Sequence, residues 1–465
     1  MKADLTADYY RHNALARLIA LINICLGTLV TVAALASVPI AVPAIAHDLQ
    51  ANAIVASWIP VAFLLANLVT LLPAGRTADI YGRKKMYIAG FAVFLAGNLV
   101  AGLVRSIEAL LICRMIQGVG SAMLFSPAMA IVSSIYRDHG RGAALGWVIT
   151  SVYVGLTCGP FLGGWITDQF GWQYIFLSLV PVGLISILLT LTFMKGEWKG
   201  DQNEKVDWMG SIYFTLIIGF LFFGITGLPN LTAIFWLAIA FAFQRLFVRH
   251  LAKTPFPLLR LKLVRQNKIF SRSLLASTFL YGSNFSMVFV LGLYLQYNRG
   301  LSPTDAGQLL MIQAIVMALM APISGKLSDR FRPRVVTTLG STTVMIGLLL
   351  ILALYNEETL DGVRFALIVV GCGFGLFSSP NNSIALGSVE ESKLGISSAM
   401  LNLSRLMGQM IGTMAVTLLI TVFIGNEVMD ANHHEGLQSV LQWFLCVAIG
   451  LAASASWFSM KGLRE

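Results

Sequence analysis

Long apolar runs separated by short polar breaks extend along the whole chain. An α-helix rises about 1.5 Å per residue, so roughly 20 mostly apolar residues cross the hydrocarbon of a bilayer. Runs of that length lie at 15–43, 53–74, 86–104, 108–131, 142–167, 173–194, 207–228, 231–249, 272–296, 305–325, 335–355, 363–387, 395–424 and 437–460. None shows the short alternating segments that a membrane β-barrel requires. The pattern predicts an all-α polytopic membrane protein with 14 transmembrane helices.

Composition agrees with this. Of 465 residues, 57% are hydrophobic and 12% charged, whereas about 25% of an ordinary soluble chain is charged. A soluble multi-domain enzyme, a disordered chain and a secreted disulfide scaffold are thereby excluded. The formal charge of +10 is dispersed between apolar runs rather than gathered on one solvated face, so no nucleic-acid partner is expected. It acts instead as an orientation signal. With the N-terminus inside, 27 of the 32 Lys and Arg fall on inner segments, and the outer loops hold only Arg105, Arg299 and Arg364. The expected location is the cytoplasmic (inner) membrane, multi-pass, with both termini cytoplasmic and the lipid bilayer as the surrounding partner. The first run is too long for a signal-peptide core and should be retained. The five cysteines lie singly without ligand spacing, so no metal or cofactor is expected.

An internal repeat organises the chain. Gly75-Arg-Thr-Ala-Asp79-Ile-Tyr-Gly82-Arg83-Lys84-Lys85 follows the second run, and Gly325-Lys-Leu-Ser-Asp329-Arg330-Phe-Arg332-Pro-Arg334 follows the tenth. With runs seven and eight set aside, each copy follows the second helix of its own half. The division is therefore 1–195, an N-terminal six-helix bundle; 196–270, an inserted helix pair with an inner basic linker; and 271–465, a C-terminal six-helix bundle. Parallel six-helix repeats meeting around a midplane site are a transporter architecture. The polar stretch 195–207 reads as a flexible inner loop, and 249–272 as a basic segment along the inner membrane surface.

These loops resemble the inner-loop signature of the major facilitator superfamily, G-x-x-x-D-x-x-G-R-[KR]-[KR]. Arg114-Met-Ile-Gln117-Gly118-Val-Gly120-Ser-Ala122 resembles its R-x-x-Q-G-x-G-x-A, and Gly155-Leu-Thr-Cys-Gly159-Pro160-Phe-Leu-Gly163-Gly164 its antiporter motif. Fourteen runs, Asp207-Trp-Met-Gly210, Leu293-Tyr-Leu-Gln296, Gly300-Leu-Ser-Pro303 and Gly371-Cys-Gly-Phe-Gly375 look like the fourteen-span drug:proton antiporters of multidrug-efflux type. The resemblance implies the major facilitator fold, two six-helix bundles plus two inserted helices. It also implies a secondary transporter, acting as a monomer, that exports amphiphilic organic compounds or drugs by proton antiport. Asp79 with Arg83, and Asp329 with Arg330, would then latch the halves at the inner side, Asp79 reaching the helix start near Gly395-Ile-Ser397. Local capping and positive-inside charge are the alternative reading. Gly159 and Pro160 would form a hinge or a tight packing face.

Arg114 and Arg405 lie inside spans, where a charge is costly and needs a cavity or a partner. The candidate cavity comprises Arg114, Gln117, Asn23, Trp58, Tyr153, Asn284, Phe285, Asn381 and Arg405, with Gln296, Gln313, Asn402, Phe125, Tyr281 and Phe377 as further polar and aromatic candidates. For any one of the uncharged groups, helix–helix contact is the competing role, and for Arg114 and Arg405 it is a structural arginine bonded to carbonyls of neighbouring helices. One departure matters. Aligned on Pro43, the first span reads Ala33-Ala34-Leu-Ala36-Ser-Val-Pro39, so Ala34 stands where the family carries an Asp. No acid or histidine lies near a span centre, which leaves Asp48, Glu108 and Asp168 as peripheral proton-coupling candidates. A cavity with arginines and no midplane carboxylate favours anions or zwitterions over cations. The second reading is therefore a transporter or facilitator of an anionic metabolite or lipid-like amphiphile. No nucleophile set or metal motif points to an enzyme.

Overall fold

The computed structural model describes residues 9–137, 139–199, 205–259, 261–390, 394–427 and 434–461. Fourteen of its helices are long and apolar enough to cross a membrane. They are α1 (Ala14–Asp48), α2 (Ala53–Tyr81), α3 (Arg83–Ala101), α4 (Ile107–Ile135), α5 (Arg141–Phe170), α6 (Gln173–Phe193), α7 (Trp208–Thr226), α8 (Leu231–Lys253), α9 (Lys268–Tyr297), α10 (Pro303–Arg330), α11 (Pro333–Leu354), α12 (Asp361–Gly387), α13 (Leu394–Phe423) and α14 (His434–Lys461). Side-chain oxygens of Asn13, Asn52, Ser106, Asp207, Asn267 and Ser302 accept first-turn N–H groups. Those donors have no partner within their own helix and cannot be left bare at a membrane interface.

Lipid is as apolar as leucine, so helices here gain little from hiding apolar surface and associate through close packing. Glycine rows permit it. In the first half, Gly155, Gly159 and Gly163 of α5 lie against α1, where added Cβ atoms would stand 3.1 Å from Leu29 O, 2.5 Å from Ala36 Cβ and 2.5 Å from Ser37 O. The second half repeats the arrangement between α9 and α13. Cβ atoms on Gly408 and Gly412 would fall 2.0 Å from Thr278 O and 2.2 Å from Gly282 O. In α12, Gly371 and Gly375 make room for α10 while Gly373 makes room for α11. That triplet is a packing device between two neighbours.

Helices α1–α6 form one bundle and α9–α14 the other, and the bundles meet along two seams, α2 with α13 and α5 with α10. The inserted pair covers the first seam. Phe214, Ile217, Ile218 and Phe222 of α7 join Val61, Leu64, Leu68 and Leu72 of α2 and Leu403, Met410 and Met414 of α13 in one apolar cluster. Asp207, nearly buried, fixes the pair's inner end. It accepts from Gly210 N and Leu258 N and lies 2.7 Å from His250 Nε2.

The end that carries the basic loops after α2 and α10 is called the inner end. The polar stretch after α6, expected as a flexible loop, is docked over residues 194–199. Trp198 O accepts from Arg83 N, Glu197 Oε1 from Lys84 N at 2.8 Å, and Lys195 O from the Tyr10 hydroxyl. The Tyr10 and Trp198 rings lie 5.7 Å apart, tilted by 36°, so an aromatic and a carboxylate pin what composition alone reads as linker. Glu197 sits at the α3 N-terminus, where the helix dipole favours a negative charge.

Candidate functional site

Seven polar and aromatic side chains from four helices and both bundles converge between the halves. Tyr153 of α5 donates its hydroxyl to Ser378 Oγ of α12 at 3.3 Å, and Tyr281 of α9 approaches the same oxygen at 3.4 Å. The Tyr281 ring carries the Arg405 guanidinium of α13 at 5.2 Å from its centroid. Arg405 is bonded to Asn382 Oδ1 at 2.5 Å and Asn402 Oδ1 at 3.3 Å. Its Nε is buried with no hydrogen-bond partner among the described residues. Phe374 closes one side, edge-on to Tyr281 at 4.9 Å. A half-buried guanidinium held by amides and a ring, with no carboxylate bonded to it among the described residues, keeps its charge available. Such a group suits an anion or a carbonyl edge, and the tyrosines suit a flat ring.

The other cavity candidates divide. Asn284 accepts from Gln313 at 2.5 Å, and Gln313 Oε1 is buried without a partner. Trp58 packs edge-on to Phe222 of α7 at 5.5 Å, with its Nε1 also buried and unpartnered, and Phe285 borders the same seam cluster. Four residues expected in the cavity are instead spent inside one bundle. Arg114 is fully buried, its Nε donating to Ile59 O at 3.3 Å and its Nη1 to Gln117 Oε1 at 2.7 Å, with Phe63 under the guanidinium at 4.5 Å. Gln117 passes the chain on to Gly97 O at 3.1 Å. Asn23 bonds Thr190 and Ser186 of α6. Asn381 bonds Ser277 Oγ and Ser273 O of α9. Asn23, Gln117 and Asn381 are each satisfied by a neighbouring helix, the competing role weighed from sequence, whereas Arg114 keeps its Nη2 buried without a hydrogen-bond partner among the described residues.

At the outer end the halves are closed. Pro160 O would lie 2.5 Å from a Cβ on Gly307 of α10, and Gly164 would meet Pro303 O at 2.1 Å, which puts the Gly159–Pro160 segment against the α5/α10 seam. Asp168 accepts from Thr304 N at 2.9 Å and from the Thr304 hydroxyl, joining α5 to the first turn of α10. Ser57 bonds Thr417 at 3.1 Å, Gln296 bonds Ile40 O at 2.9 Å and Ala53 N bonds Glu427 O at 2.8 Å, all between halves. The other peripheral acids do not bridge. Asp48 accepts from Trp172 Nε1 and Gln173 within the first half, and Glu108 is exposed in the first turn of α4.

At the inner end, Asp79 is paired with Arg83 of its own loop at 2.8 Å. Arg330 is exposed in the last turn of α10, and the side chain of Asp329 lies outside the described residues. On the faces of α5 and α10 that carry Gly164 and Gly307, Cβ atoms on Gly142, Gly146 and Gly325 would meet open space. Residues that sequence reasoning did not single out are Ser378, Thr304 and Glu197. Thr304 could have been found, since it follows a Ser-Pro helix start of the kind that attracts an anion.

A family model described as Major Facilitator Superfamily matches residues 24–413. The riboflavin transporter RibZ of Clostridioides difficile (strain 630) is 28% identical over 395 residues, covering 85% of this chain and 86% of that protein. The multidrug resistance protein Stp of Mycobacterium tuberculosis (strain CDC 1551 / Oshkosh) is 27% identical over 362 residues, 76% of this chain and 67% of that one. Among solved structures, a bacterial homologue of the human lysosomal transporter Spinster, inward-facing and unoccupied, superposes with a TM-score of 0.67 over 97% of this chain and 98% of that chain, at 16% identity. That likeness speaks to fold.

Proposed function

The chain belongs to the major facilitator superfamily, and on that premise we propose that it exports amphiphilic organic compounds by alternating access. Its two six-helix halves rock about the Tyr153–Ser378–Tyr281–Arg405 cluster, which contacts the substrate. The observation that carries this reading is the cross-half composition of the cluster. Tyr153 comes from one bundle and Ser378, Tyr281 and Arg405 from the other, so rocking necessarily remakes the site. The names of relatives, a riboflavin transporter and a multidrug resistance protein, support a small organic cargo. In this reading the protein works as a monomer in the cytoplasmic membrane with both termini inside, as the Lys/Arg distribution favours. The inner latches of Asp79 and Asp329 engage when the inner side closes.

Proton antiport is the coupling the family implies, with Asp48, Glu108 and Asp168 as the acids available. One observation favours the second reading, an anionic or facilitated substrate. Arg405 stands between the halves without a carboxylate, and Ala34 leaves the first span without one. Both readings are tested in proteoliposomes. Arg405→Ala should lose anionic and carbonyl-rich aromatic substrates while Arg405→Lys retains part of the flux. Unchanged transport of every substrate by Arg405→Ala refutes the site. Downhill flux that ignores an imposed proton gradient refutes antiport and leaves facilitation.

A further inference from the structure

At the inner end of the second bundle a shallow, open recess of about 20 Å³ lies between α9, α11, α12 and α14, apart from the central cluster. Its lining carries Arg272 and Ser273 of α9, Arg334 and Thr337 of α11, Asn381 of α12 and Ser459 of α14, and among the described residues that line it none is acidic. Arg334 lies in the first turn of α11, where the helix dipole adds positive potential. Its side chain has no hydrogen-bond or ion-pair partner among the described residues. The Ser459 hydroxyl is buried and likewise unpartnered. Arg272 donates to Lys461 O at 3.1 Å, which holds its guanidinium at the end of α14.

Depth identifies the occupant. The recess sits where α9 and α11 begin and where α12 and α14 end, the level of lipid phosphates. Trp457, half exposed, carries the Lys461 ammonium 4.7 Å over its ring, an aromatic–cation pair of the kind that anchors helices at that level. Ile269, Ile384 and Phe458 supply an apolar wall beside the cations, which a free anion does not need and a glycerol backbone does. We propose that this recess binds the phosphate of an anionic phospholipid of the inner leaflet. Arg334 and Arg272 take the phosphodiester oxygens, and Ser459 donates its hydroxyl. A lipid so held touches α9, α11, α12 and α14 and ties the second bundle together as it moves.

The test uses the full chain in a neutral detergent, with native mass spectrometry and thermal unfolding as readouts. The probes are phosphatidylglycerol, phosphatidylcholine and inorganic phosphate. The expected result is one retained phosphatidylglycerol, held about 10-fold more tightly than phosphatidylcholine, and a raised melting temperature with that lipid only. Arg272→Gln with Arg334→Gln should remove most of that preference, and the milder Ser459→Ala should reduce it in a chain whose core is untouched. Arg245→Gln, on α8 far from the recess, should leave it intact. Equal retention of both lipids overturns the proposal, as does an undiminished preference in the double variant. Protection by inorganic phosphate equal to that by phosphatidylglycerol replaces the lipid with a free anion and overturns it too.

Discussion

Substituting Gly164 by alanine should push the protein toward an outward-open state. The added Cβ would stand 2.1 Å from Pro303 O, 2.6 Å from Pro303 C and 3.0 Å from Thr304 N, all backbone atoms of the other half. An ordinary carbon–oxygen contact needs roughly 1 Å more, and no rotamer change can supply it because neither side of the clash is a side chain. The halves must part at their outer ends, and overpacking of this kind costs about 1–3 kcal/mol. An outward-open state has no such contact, so the whole cost falls on the outer-closed state. The equilibrium should therefore move by about 5- to 150-fold. Gly163→Ala is the control, because its Cβ would meet Ser37 O within the same half at 2.5 Å. It strains the first bundle in both states alike. Spin labels at exposed Gln169 and Gln308, on α5 and α10, report the outer distance by pulsed dipolar spectroscopy. A distribution unchanged by Gly164→Ala, or shifted equally by Gly163→Ala, refutes the reasoning.

Asp168→Asn removes the charge that accepts from the first turn of α10; exposure limits its worth to about 0.5–1 kcal/mol, so the same label pair should show a shift in the same direction but only about 2- to 5-fold. Arg114→Ala strands Gln117 Oε1 and Ile59 O inside the first bundle, at about 1–3 kcal/mol for the unmade bonds. It should lower the melting temperature, whereas Arg405→Ala should alter substrate range with a smaller thermal change; the reverse pattern removes the distinction between the two arginines. Phe222→Ala deletes a ring packed edge-on to Trp58. Lipid replaces the lost apolar contact, so only about 0.5–1.5 kcal/mol of ring–ring packing is at stake, and maleimide labelling of Leu64→Cys should rise; no rise means that α7 does not guard that seam.

Span number and helix type were legible because length and hydropathy are one-dimensional quantities. Rotation of each helix about its own axis was not. In a soluble helix the apolar stripe marks the inner face, but here lipid and protein core are both apolar and the stripe fades. Asn381 and Asn382 make the point. They are adjacent, so their side chains point about 100° apart, and one bonds Ser277 inside the bundle while the other holds Arg405 between the bundles. Nothing in their sequence context separates them. The same degeneracy put Asn23 and Arg114 among cavity candidates. Glycine rows survived better, since Gly155, Gly159 and Gly163 mark a close-packed face whichever way the helix turns. Even there the row on α13, Gly408 and Gly412, went unread as the counterpart of the row on α5.

The inserted pair makes the two seams unequal, although the repeat would otherwise make them equivalent. Along α2 and α13, α7 touches both halves at once, so any rocking that parts those helices must peel α7 from one of them. Along α5 and α10 no described helix forms such a strap. The outer end is shut by backbone contact at Gly164 and Gly307 and by the Asp168–Thr304 bond, while at the inner end Cβ atoms on Gly142, Gly146 and Gly325 would meet nothing. Peeling apolar helices in lipid costs only packing, which is small per contact and large over a whole helix. The cheaper motion opens the α5/α10 side more than the α2/α13 side. Tyr153 lies on α5, at the edge of the central cluster that faces the freer seam. The asymmetry of the insertion thus falls on the side of the molecule from which the candidate site is most readily reached.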